Sequence, residues 1–273
     1  MNDFWQKQQN PLFPDLTWNK PEQKSQSGLL AVIGGNSQSF KIIADIANAA
    51  QSLGIGKTTI YVPASLKSKI PTTPDIFFEP ATESGSFNRE SLRDLTVAVN
   101  LANLTLIPGD LSKNSETSSV IAELVTTTEQ PLLVTRDAFD AILPNSQNFI
   151  ERPNLSLLIS MSQLQALFKA IYYPRPLLLS QPLLPALDTL HKFTTTYTNL
   201  TIITLHQDQI IVAHNGRVTT TDIKDTLYSP ISIWDGRLAT TIAAYAMWNP
   251  SKPLEAATTA IILNNPKGNP HES

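Results

Sequence analysis

Leu29-Leu30-Ala31-Val32-Ile33-Gly34-Gly35 is the stretch that decides the fold. Its apolar run lacks the alternation of a half-exposed strand, which points to a strand buried on both faces. From about Ser39 to Leu53, Ile42, Ile43, Ile46, Ala49, Ala50 and Leu53 fall on one helical face. Gly54 is placed to cap that helix, and Thr58-Thr59-Ile60-Tyr61-Val62 reads as the next strand. Strand, amphipathic helix and strand make a βαβ unit, whose strands are parallel and whose crossover is right-handed.

The alternation continues outward from this unit. Strand-like segments recur at Ile76–Phe78, Leu104–Ile107, Leu132–Val134 and Leu155–Ile159. Helical stretches near Arg89–Val99, Thr117–Thr127, Gln163–Ile171 and Leu184–Thr195 accompany them. This predicts an α/β fold with a central, mainly parallel sheet and helices on both faces. The last third differs. Leu200–Leu205, Gln209–Ala213 and Arg217–Thr221 read as three successive strands, with Asn215-Gly216 as a hairpin turn, so a few antiparallel strands are expected there. Two helices, Arg237–Trp248 and Leu254–Leu263, follow. The expected organisation is an irregular arm over residues 1–27 anchored by Phe13 and Trp18, one α/β domain over 28–264, and a polar tail over 265–273.

Hydrophobic residues make up 41% of the 273 and charged residues 16%, a balance that suits a globular body. A net charge of -3 argues against a general nucleic-acid binder. The absence of cysteine excludes disulfides, thiolate metal sites and a cysteine nucleophile. No apolar run suits a signal peptide or a membrane span, so a cytoplasmic protein is expected, with a homo-oligomer left open. In a cytosolic chain the sequons at Asn103, Asn154 and Asn199 carry no glycosylation meaning.

Four constellations bear on chemistry. Gly54-Ile55-Gly56-Lys57-Thr58 looks like a phosphate loop, but Gln51 stands where a glycine is required and Lys57 leads into a strand, so it reads as a helix-to-strand turn. His191, His206, His214 and His271 show no metal-ligand spacing. Gly34-Gly35-Asn36-Ser37 is either a tight turn or, with the following helix N-terminus, an amide cradle for a polar or anionic ligand. In Ser229-Pro230-Ile231-Ser232-Ile233-Trp234-Asp235-Gly236-Arg237, Asp235 is either a helix cap or a base beside an amide-lined anion hole.

Taken together, the segments resemble the ribokinase-like superfamily, a three-layer sandwich, and within it the ATP- or ADP-dependent NAD(P)H-hydrate dehydratases. Leu29–Gly35 is similar to that family's Val-Ile-Gly-Gly, Leu53-Gly54-Ile55-Gly56 to its Ala-Gly-Ala-Gly, and Ile107-Pro108-Gly109 to its Gly-Pro-Gly. Pro131-Leu132-Leu133-Val134-Thr135-Arg136-Asp137-Ala138 resembles its Pro-Leu-Val-Leu-Asp-Ala-Asp-Ala. The resemblance implies a lyase that phosphorylates the hydroxyl of hydrated NADH or NADPH and then eliminates phosphate, with ATP or ADP, and Mg, as cofactors. It implies Asp235 as catalytic base and Ser232, Ile233, Trp234 and Gly236 around the nucleotide. On the substrate it implies Gly34, Gly35, Asn36, Gly109, Asp137, Ser160 and Gln163.

The sequence departs from the family at the implied site. Aligned without a gap, the family's Gly-Asp becomes Asp235-Gly236; with one inserted residue Asp235 is the base, and Ser232 and Trp234 then stand where glycines are expected. Leu158-Ile159-Ser160-Met161-Ser162-Gln163 lacks the His and Glu of the family's Thr-Pro-His-Pro-Gly-Glu, and Leu205-His206 replaces a Lys-Gly. Three readings follow: an active dehydratase, a non-catalytic relative that binds a nucleotide or a partner, and a small-molecule kinase of the same superfamily.

Overall fold

A computed structural model describes residues 3–8, 10–226 and 229–263. The polar tail and His271 lie outside the described residues. In chain order the elements are β1 Trp5–Gln8, α1 Pro14–Thr17, β2 Leu29–Gly34, α2 Lys41–Leu53, β3 Lys57–Pro63, β4 Ile76–Glu79, α3 Leu92–Leu101, β5 Leu104–Gly109 and α4 Ser115–Thr127. Then come β6 Leu132–Thr135, α5 Asp137–Ile142, α6 Ser146–Phe149, β7 Leu155–Leu158, α7 Met161–Ala170, α8 Leu183–Thr196, β8 Leu200–His206, β9 Gln209–His214, β10 Arg217–Asp222, α9 Arg237–Trp248 and α10 Pro253–Leu263. All strands join one ten-stranded sheet in the order β1-β10-β9-β8-β7-β6-β5-β2-β3-β4. Every pairing from β4 across to β8 is parallel. Only β9 runs against its neighbours, and β1 lies parallel to β10.

The buried apolar strands explain the three layers, because alternate residues must be covered on both sides. Ile33, Ile107, Val134 and Leu157 share one core with Leu95 of α3, Val120 and Leu124 of α4, Leu164 of α7 and Leu187 of α8. Val32, Leu106, Leu133 and Leu158 face the other way, against Ile42 and Ile46 of α2, Leu238 and Ile242 of α9, and Leu254 of α10. Lys57 opens a strand, and Gly54 caps α2 at φ 75°, so the glycine-rich segment is a turn.

The arm differs from its expected form. Residues Trp5–Gln8 are a strand, held by side-chain hydrogen bonds and by the packing of Trp5 against the core. Trp5 Nε1 donates to Thr220 Oγ1 (3.1 Å), and Gln8 Nε2 to Thr221 Oγ1 (3.0 Å) and the Thr258 carbonyl (3.2 Å). Phe13 does pack against the core, but Trp18 is 85% exposed and anchors nothing. Leu16, 3% exposed, is the buried anchor, because the short α1 turns it and not Trp18 inward.

Candidate site at the carboxyl ends of the strands

The parallel strands bring four loops to one end of the sheet, where α/β folds usually hold ligands. Gly34 pairs with Gly109 across β2 and β5, just past a register shift, and the Gly35 amide donates to the Gly109 carbonyl (3.1 Å). Gly109 sits at φ 100°, and a Cβ there would lie 2.0 Å from Asp137 Oδ1, so only glycine fits. Asn36 Nδ2 donates to the Asp110 carbonyl (2.5 Å), and its Oδ1 accepts the Gln38 (2.8 Å) and Ser39 (3.2 Å) amides.

Asp137 opens α5 and accepts the Asp110 (3.0 Å) and Leu111 (2.7 Å) amides, one on each carboxylate oxygen. Burial pushes its carboxyl pKa up, against the lowering pull of those amides and of Arg136. Ser160 and Gln163 form a capping box at the start of α7: Ser160 Oγ accepts the Gln163 amide (3.2 Å), and Gln163 Oε1 accepts the Ser160 amide (3.1 Å). Gln163 Nε2 donates to the Arg136 carbonyl and to Asp140 Oδ1, each at 2.9 Å.

Arg136, to which no sequence pattern assigns a role, crosses the site. Its Nη2 reaches Asp110 Oδ1 (3.1 Å) and its Nη1 the Trp234 carbonyl (3.0 Å), tying the end of β5 to the loop before α9. Its backbone stands at φ 56°, strained for a residue with a side chain. The signal lay in the sequence, since a long cation stands where the family's segment has alanine.

The loop before α9 is wound into a turn. Ser232–Trp234 is one turn of 3₁₀ helix; the Ser232, Trp234 and Asp235 amides donate to Ser229, Ile231 and Ser232 carbonyls (3.0, 3.1 and 3.4 Å), and Ile233 is buried. Gly236 is the residue before α9, at φ 92°, where a Cβ would lie 3.0 Å from Ile42 and Ile46 side-chain carbons of α2. Asp235 stands one residue further out, and its Oδ1 accepts the Arg237 amide at the start of α9 (3.0 Å). Asp235 lines a groove with Lys41, Asp45 and Arg237, whereas Asp137, Ser160, Gln163, Arg136 and Trp234 line a different one. The sheet therefore gathers Gly34, Gly35, Asn36, Gly109, Asp137, Ser160 and Gln163 at one end. Asp235 is nearby but opens elsewhere.

No protein-family model matches the chain, and no curated protein matches it by sequence. Solved structures do. A ribokinase-like superfamily protein from Enterococcus faecalis superposes with a TM-score of 0.69 at 17% identity, over 97% of this chain and 87% of that one. The ADP/ATP-dependent NAD(P)H-hydrate dehydratase from Bacillus subtilis, co-crystallised with ATP/Mg2+, gives 0.58 at 14% identity over 94% and 88%. A Bacillus subtilis pyridoxal kinase in an ADP complex gives 0.51 at 11% over 85% and 88%. What the chain shares with all three is the architecture, and its fold is ribokinase-like.

Proposed function

We propose that this protein is a non-catalytic relative of the ribokinase-like nucleotide enzymes, one that acts by binding rather than by phosphoryl transfer. The observation that carries this reading is that the loop before α9 has committed four of its amides internally. Ser232, Trp234 and Asp235 bond within the turn, and the Arg237 amide is held by Asp235 itself. Phosphate charge in transfer needs free, preorganised donors, and the Ser232, Trp234, Asp235 and Arg237 amides are already taken. The Leu205-His206 pair supplies no lysine, and the His206 ring Nε2 is bonded to the Gln181 carbonyl (2.8 Å). Asp110 and Asp137, the acids beside Arg136 at this end of the sheet, already bond Arg136, Ile42 and the local amides. The residues present therefore do not fit an ATP/Mg group, and no step is drawn through one.

The decisive experiment incubates the full chain with hydrated NADH and ATP or ADP plus Mg, following recovery of NADH absorbance. No nucleotide-dependent recovery is expected. Recovery that disappears in Asp235→Asn overturns the proposal and restores the second reading, an ATP- or ADP-dependent NAD(P)H-hydrate dehydratase. One observation favours that second reading: Gly35, Asn36, Gly109 and Asp137 lie in one bonded network, as a substrate site would require.

A further inference from the structure

Three strands begin directly after an asparagine: Asn103 precedes β5, Asn154 precedes β7 and Asn199 precedes β8. These are the three sequon asparagines, and parallel pairing brings them to the amino end of the sheet, opposite the site above. There they line one groove of about 230 Å³. Asn249, Thr201 and His214 join them, with Leu104, Leu132, Ala246 and Met247 supplying apolar wall. No Lys, Arg, Asp or Glu lines the groove.

Several of its polar groups are unspent. Among the described residues the Asn199 carboxamide makes no hydrogen bond to protein, and Asn154 Nδ2 reaches the Glu129 carbonyl only at 3.5 Å. Asn103 uses its oxygen on the Leu29 amide (2.7 Å), which leaves its NH2 to donate. His214 Nδ1 lies 3.3 Å from the Leu200 carbonyl and 3.1 Å from Thr201 Oγ1. A carbonyl can only accept, so Nδ1 carries the proton and Nε2 is an acceptor. Burial lowers the His214 pKa, which keeps the ring neutral.

We propose that this groove binds a planar, uncharged heterocycle with amide-like edges, of the nucleobase or nicotinamide kind. A carboxamide offers a donor and an acceptor side by side, the pattern that pairs with the edge of such a ring. The apolar walls suit its faces. The volume is below the roughly 300–1,000 Å³ of drug-sized sites, so one ring system fits and a whole dinucleotide does not. Without a cation the groove gives a phosphate no charge-assisted contact from a side chain.

The test is calorimetric titration of the full chain with adenine, adenosine, AMP and nicotinamide. A heterocycle is expected to bind with a Kd below about 1 mM, with AMP no tighter than adenosine. Asn199→Ala, an exposed residue with no structural bond, should weaken binding about tenfold or more, the scale of one bidentate pair, and leave the melting temperature unchanged. Arg136→Ala at the opposite end should leave that affinity unchanged. The proposal is overturned if none of the probes binds below that limit, if AMP binds much more tightly than adenosine, or if Asn199→Ala binds as wild type does.

Discussion

The two ends of this sheet carry opposite chemistry. At the carboxyl end the polar groups are charged and bonded to one another: Arg136 spans Asp110 and the Trp234 carbonyl, and Asp137 is filled by two amides. At the amino end the groove is lined by neutral groups, and the Asn199 carboxamide is unspent. Parallel α/β sheets ordinarily present ligands at the carboxyl end. A fold can thus keep the geometry of that end while its hydrogen-bonding capacity is turned inward, leaving spare capacity at the other.

The largest test of this contrast is Gly109→Ala. The positive φ and the overlap with Asp137 should cost about 3 kcal/mol in urea unfolding. A loss below about 1 kcal/mol would mean that the carboxyl-end network yields easily, and the contrast in rigidity would break. The next effect is set by pH. Glu79 ends β4 at 6% exposure, and burial, with Asp94 nearby, pushes its pKa up to about 6. A raised carboxyl contributes stability that is full below its unfolded pKa of about 4.3 and is lost as pH rises through the folded value. Relative to Glu79→Gln, wild type should lose about 1–2 kcal/mol between pH 4 and pH 7. His214 has the opposite sign: its lowered pKa contributes stability that is present above the unfolded imidazole value of about 6.5 and lost as pH falls through the folded one. His214→Gln should flatten that acid limb, and a parallel response in the two variants would erase the distinction between the ends. The smallest effect belongs to Asp235→Ala. Removing one first-turn bond from α9 should lower stability by about 0.5–1 kcal/mol, and a much larger loss would show that the Asp235 carboxylate does more than hold that turn.

What the sequence revealed follows the physics of burial. Strands β2, β5, β6, β7 and β8 are runs of Leu, Ile and Val covered on both faces, so their hydrophobic continuity announces them. Trp5-Gln6-Lys7-Gln8 has no such signature, because its strand depends on side-chain bonds to threonines more than 200 positions away. The site divides in the same manner. Gly34 and Gly35 were readable as a turn because local chemistry fixes them, whereas Gly109 and Asp137 were singled out only through the family resemblance. The reach of Arg136 to Trp234 was not, since a contact across 98 positions leaves no local pattern.

The docking of β1 also dictates a schedule. Among the described residues its only neighbour in the sheet is β10, and Gln8 bonds to the carbonyl of Thr258 in α10. β1 therefore has no sheet partner until β10, more than 200 positions later, has been made. The β10 edge is likewise open until the arm returns to it, and an open edge is where a second chain can pair instead. Slow or interrupted synthesis between the two strands thus exposes this protein to arm exchange between copies.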